Sequence, residues 1–193
     1  SPIWAGFTPG NDARVVHELR RSGAVIPGKT VTAEFAVHHP GRTVNPHHPE
    51  HTPGTSSSGS AAAVATGMVP LALGTQTAGS TIRPASFCGI YGFKPSFGLV
   101  PRTGILKTLD TLDHVSFLAR SVEDIALVFE TARVHGRNYP YVYNLLENPE
   151  EQRPGKPWRV AFVRTYVWPL AEVYVKEAML DFAARLSDVD GVE

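Results

Sequence analysis

Two runs of glycine, serine and threonine bracket an alanine-rich stretch in the first half of the chain. The first is Pro53-Gly54-Thr55-Ser56-Ser57-Ser58-Gly59-Ser60 and the second is Gly74-Thr75-Gln76-Thr77-Ala78-Gly79-Ser80-Thr81-Ile82-Arg83-Pro84. Between them, Ser60 to Met68 has helix-forming composition and Val69 to Leu73 is a short apolar, strand-like run. Glycine and serine alone serve as turn residues. Serial backbone N–H groups ahead of a helix also suit an anion. Against a phosphate cradle, no lysine follows in the P-loop position and no G-x-G-x-x-G is present.

The rest of the chain alternates helical and strand-like segments. Asp12 to Ser22 puts Ala13, Val16 and Leu19 on one face, with Asn11 or Asp12 available as N-cap and Gly23 just past the end. Ala24-Val25-Ile26 reads as a short buried strand, and Thr30 to Ala36 as a further short helix. Arg42 to Thr55 is rich in Pro, His, Asn and Gly and reads as loop. Ser121 caps a helix running to about Ala132, with Asp124 in the acidic position three residues on. Arg137 to Pro157 is a polar connection, Arg159 to Val163 a strand and Tyr174 to Leu186 a last amphipathic helix. Strands alternating with helices predict an α/β class.

At 193 residues, 42% hydrophobic and 19% charged, the chain has the composition of a globular protein with a real core. Lys plus Arg and Asp plus Glu are both 18, so no net field draws nucleic acid or an anionic membrane. No apolar run approaches the ~20 residues that span a bilayer. The single cysteine, Cys88, sits in an apolar setting and reads as a buried structural thiol; with no disulfide framework, a cytoplasmic protein is expected. His47-His48-x-x-His51 lies in a proline-broken loop without a Cys or Asp cluster, so no metal site is expected there. The ends, Ser1-Pro2-Ile3-Trp4 and Asp190-Gly191-Val192-Glu193, lack the polar composition usual at natural termini. Residues 1–193 are therefore expected to be the central part of one domain, with segments beyond both ends.

Taken together, the two Gly/Ser segments resemble the amidase-signature family, whose hallmark is a Gly/Ser-rich loop followed by a glycine-rich loop ending in serine with an arginine nearby. Ser56 and Ser80 lie 24 residues apart, the spacing this resemblance implies. The likeness continues in Gly23-Ala24-Val25-Ile26-x-Gly28-Lys29-Thr30, Phe87-Cys88-Gly89, Gly92-Phe93-Lys94-Pro95-Ser96, Leu109-Asp110-Thr111 and Ala119-Arg120-Ser121-Val122-Glu123-Asp124. It covers most of residues 9 to 132.

The resemblance implies a central mixed, twisted sheet flanked by helices, and amide cleavage through an acyl-serine without metal or organic cofactor. It implies Ser80 as nucleophile and Ser56, after a cis peptide bond, as the relay to a neutral lysine. Backbone N–H groups of Thr77, Ala78, Gly79 and Ser80 would form the oxyanion hole, with Ala78 where family members commonly carry glycine. Ser57 and Thr75 are candidates for hydroxyls that hold the two serines in register. Arg83, in Ser80-Thr81-Ile82-Arg83-Pro84, resembles the malonamidase-like branch and would grip a substrate carboxylate, or instead pair with a buried acid.

Lys29 is the only lysine before Ser56, and it belongs to an element that relatives carry in addition to the catalytic lysine. The chain by itself is therefore expected to be weak or inactive. The partner expected is a small-molecule amide, with neither nucleic acid nor membrane, and with homo-oligomers open to the full-length protein. Two other functions fit the same residues: a non-catalytic binding or assembly protein, and an amidotransferase subunit that supplies ammonia for tRNA-linked amidation. Gln76 and the Thr81-Ile82-Arg83 pattern fit the amidotransferase less well than a stand-alone amidase.

Overall fold

The structure, a computed structural model, describes residues 2–139, 142, 146, 147 and 156–193. The chain divides into two compact units, Ser1–Tyr139 and Pro140–Glu193. In the first unit the elements run α1 (Arg14–Arg21), α2 (Ser58–Ala65), β1 (Leu71–Gln76), α3 (Ile82–Phe87), β2 (Tyr91–Phe93), β3 (His114–Ala119) and α4 (Val122–Ala132). The three strands form a sheet in the order β1-β3-β2, and both pairings are antiparallel. Leu71 stands opposite Ala119 and Gln76 opposite His114, while Tyr91 to Phe93 pair with the far half of β3.

β3 is central, and every residue from Val115 to Ala119 is buried. Side chains alternate across a strand, so its two faces meet different partners. Val115 and Phe117 pack with Val15 and Leu19 of α1, Val100, and Val128 and Ala132 of α4. Leu118 packs on the other side with Ala61 and Val64 of α2 and with Ala85 and Cys88 around α3. The unit is thus a sheet between two pairs of helices, an α/β layering that buries both faces.

Several local expectations hold. Ser121 Oγ accepts from Asp124 N at 3.1 Å as the N-cap of α4, which ends at Ala132 as expected. Gly23, at φ 89°, closes α1 in a backbone region that a Cβ disfavours. α1 itself is shorter than expected. Ala13 is its N-cap without a side-chain bond, and Asp12 pairs with Arg20 at 2.9 Å instead of capping. Its buried stripe is Val15 and Leu19, with Ala13 and Val16 at the margin.

Other expectations fail. Ala24 to Ile26 forms no strand, and Val25 is 87% exposed; three apolar residues have no strand edge to pair with here. Thr30 to Ala36 yields only a 3₁₀ turn at Glu34–Ala36, interrupted by Phe35 and Ala36 at positive φ. The expected strand over Arg159 to Val163 is absent. In the second unit Trp158 instead makes a single parallel bridge with Val192, which limits pairing to the last residues of the chain. The last helix, α5, spans Val173–Ser187, one residue beyond the expected segment at each end. The connection expected over Arg137 to Pro157 lies mostly outside the described residues. No helix among the described residues is long and apolar enough to cross a membrane.

Candidate active site

The two Gly/Ser segments meet beside the sheet. Ser57 N donates to Ser80 O at 3.0 Å, which joins the first segment to the second directly after the two serines singled out above. The Thr55–Ser56 peptide is cis. Ser56 is 1% exposed, and its carbonyl accepts from Ala33 N at 2.9 Å. Two glycines permit these approaches. A Cβ on Gly54, at φ 82°, would stand 2.8 Å from Pro84 Cα, so the first segment lies directly against α3. A Cβ on Gly74 would stand 2.9 Å from both Ser57 Oγ and Thr81 Oγ1 and 3.2 Å from Ser116 Oγ.

Those three hydroxyls form a buried polar seam. Thr81 Oγ1 donates to Thr75 O at 3.2 Å and is in short contact with Ser116 Oγ. Ser57 Oγ donates to Thr75 O at 3.4 Å and accepts from Thr75 N at 3.3 Å. The link from Ser57 therefore runs to the main chain of Thr75, and the Thr75 hydroxyl takes no part in it. Ser60 Oγ extends the seam by donating to Leu73 O at 2.7 Å.

The segment from Thr77 to Ser80 connects β1 to α3 and is pinned at both ends. At the start, Thr77 Oγ1 donates to Asp113 Oδ1 at 2.5 Å. At the far end, Gln76 Oε1 accepts from Thr81 N at 2.8 Å and Ile82 N at 2.9 Å. The main-chain N–H groups of Thr77, Ala78, Gly79 and Ser80 make no hydrogen bond among the described residues. Neither do the hydroxyls of Ser56 and Ser80. Unpaired main-chain donors next to a free hydroxyl are what an attacked carbonyl needs: a nucleophile and a place for the developing oxyanion.

Arg83 is exposed and folds back over this turn, so that a Cβ on Gly79 would meet its Nη2 at 3.1 Å. It forms no ion pair among the described residues. Lys29 is exposed and bonds to neither serine. Among the described residues no three His, Cys, Asp or Glu side chains converge as a metal site would require; His48 and His51 only stack edge to face. Cys88 is fully buried, and burial pushes its thiol above the ordinary value. Such a thiol is inert packing rather than a nucleophile.

Asp113 was not legible as a site residue from the sequence. It is 8% exposed, and its carboxylate also accepts from Thr108 N at 2.5 Å and Leu109 N at 2.9 Å. Burial alone would raise its pKa. The hydrogen bonds from Thr77, Leu109 and Thr108, with the nearby Arg102 charge, outweigh burial and hold it below the ordinary carboxylate value. Ser116 and Thr81 were missed for the same reason, since their meeting spans 35 residues of sequence.

A glutamyl-tRNA(Gln) amidotransferase subunit from Picosynechococcus sp. is 44% identical over 203 residues, covering 98% of this chain and 41% of that protein. The crystal structure of the corresponding Thermotoga maritima protein superposes with a TM-score of 0.66 at 38% identity, over 72% of this chain and 32% of that one. A peptide amidase solved with the competitive inhibitor chymostatin gives 0.62 at 39% identity, over 70% and 30%. The chain spans less than half the length of the curated relatives it matches. The Amidase family model matches residues 1–193 in full, and the chain belongs to that family.

Proposed function

We propose that this chain carries the nucleophile and the oxyanion-binding turn of an amide-cleaving active site. Ser80 Oγ adds to the carboxamide carbonyl, and the resulting oxyanion lies against the N–H groups of Thr77, Ala78, Gly79 and Ser80. Collapse breaks the C–N bond, the nitrogen leaves with a proton as ammonia or an amine, and an acyl ester remains on Ser80. Ser56 takes the Ser80 proton and passes it to a lysine, a role not assigned to Lys29. Water or another acceptor then frees Ser80. The observation that carries this reading is the set of unpaired donors at residues 77–80 together with the unbonded hydroxyls of Ser56 and Ser80, in segments tied together by Ser57 N and Ser80 O.

Between stand-alone hydrolysis and ammonia release inside an amidotransferase, similarity to the glutamyl-tRNA(Gln) amidotransferase subunits favours the second. Gln76 and the position of Arg83 weigh toward the first, with Arg83 as a carboxylate clamp near the acyl group. In the amidotransferase reading the physiological partners are further subunits, and the amide donor is a small molecule. Ammonia release from primary carboxamides by the full-length protein separates these readings. Release that Ser80→Ala abolishes supports the Ser80 mechanism, and release only after adding partner subunits selects the amidotransferase. Release unchanged in Ser80→Ala removes the proposal.

A further inference from the structure

Asp113 precedes β3, next to His114, which stands opposite Gln76 at the end of β1. Its carboxylate therefore meets the chain where β1 gives way to the turn over Thr77 to Ser80. Of the roughly four acceptor positions on a carboxylate, three are filled. Thr77 Oγ1 occupies one oxygen, and the N–H groups of Thr108 and Leu109 occupy the other. Bonds to an ionised acceptor are about twice as strong as neutral ones, and this acceptor is nearly fully buried.

We infer that Asp113 is a positioning residue for the oxyanion-binding turn, acting through the Thr77 hydroxyl; the inference rests on the Ser80 reading above. Fixing the Thr77 side chain fixes the backbone at residue 77 and so the direction of the next N–H, that of Ala78. Gln76 Oε1 performs the matching task from the other end by holding Thr81 N and Ile82 N. The contrast inside the turn points to this role. The Thr77 hydroxyl at one end and Thr81 N and Ile82 N at the other are bonded, and the main-chain N–H groups of residues 77–80 are left free among the described residues. The same carboxylate holds Thr108 and Leu109, and Thr108 lines a small pocket with Thr75, Thr77 and Lys107. One anion thus sets the turn and a wall of the adjoining cavity together.

The test is the rate at which a fluorophosphonate modifies the full-length protein, because phosphonylation needs both the nucleophile and the oxyanion donors. Thr77→Val keeps the shape and deletes the donor, Thr77→Ser keeps the donor, and Asp113→Asn keeps the shape and removes the charge. Displacing reacting groups by an ångström costs about 100-fold. Thr77→Val and Asp113→Asn are expected to lower the maximal labelling rate by about 10- to 100-fold, with the half-saturating probe concentration unchanged. Thr77→Ser is expected to restore the rate. If Asp113→Asn does not fold, the Thr77 pair decides, since it leaves both backbone bonds to Asp113 in place. Thr77→Val labelling at the wild-type rate, or Thr77→Ser as slow as Thr77→Val, overturns the inference alone. A wild-type protein that does not label overturns the Ser80 reading and this inference with it.

Discussion

The two faces of the sheet are built from different chemistry. Toward α1 and α4 the packing is large and apolar, with Val15, Leu19, Val115, Phe117 and Val128 in one cluster. Toward α2 and α3 the residues are small, and hydroxyls replace much of the hydrocarbon: Ser57, Ser60, Thr81 and Ser116 among Ala61, Val64 and Ala85. β3 serves both faces within five residues, with Phe117 on one and Ser116 and Leu118 on the other. A buried apolar side chain contributes ~1.5–3 kcal/mol from area alone, whereas a satisfied buried hydrogen bond nets only ~0.5–1.5 kcal/mol. The second face therefore gives less stability per residue. In return it fixes direction, because hydrogen bonds are directional and burial is not. The face that holds the serine loops is the one built from directional contacts.

Substitutions that separate stability from labelling sharpen this contrast. Phe117→Ala on the apolar face is expected to cost ~3–5 kcal/mol, read as a loss of urea midpoint. The folded fraction should still label at the wild-type rate. Thr81→Val on the hydroxyl face removes the bond to Thr75 O and the partner of Ser116, and is expected to cost ~1–3 kcal/mol. Unlike Phe117→Ala it should also slow labelling of the folded protein, because Thr81 adjoins Ser80. Equal labelling in both variants would break the comparison. Ser121→Ala lies at the start of α4, away from the hydroxyl seam. It is expected to cost ~1 kcal/mol through loss of the cap, with no change in labelling.

What the sequence made legible was local. The cap at Ser121 and the closing Gly23 each carry their signal in adjacent residues, and the structure places them as that signal predicts. The Gly/Ser runs are less loop than expected: the helix expected over Ser60 to Met68 starts at Ser58 and ends at Ala65, and the strand expected over Val69 to Leu73 is displaced to Leu71–Gln76, taking Gly74, Thr75 and Gln76 into β1. Short apolar runs misled, because a strand exists only where an edge is available to pair. Ala24 to Ile26 and Arg159 to Val163 have the composition without the edge. β3 was hidden for the opposite reason. It is buried on both faces, so it shows no alternation, and Ser116 interrupts its apolar run. Asp113 was hidden because its meaning depends on Thr77, 36 residues away. Its charge in a turn-rich stretch reads locally as solvated surface.

The most direct measurement is fluorophosphonate labelling of the full-length protein followed by mass-spectrometric mapping of the adduct. A single adduct on Ser80, absent in Ser80→Ala and slowed in Ser56→Ala, is the result predicted here. An adduct on any other residue, or none on protein shown to be folded, would contradict the assignment of Ser80 and leave the turn at 77–80 without an oxyanion to bind.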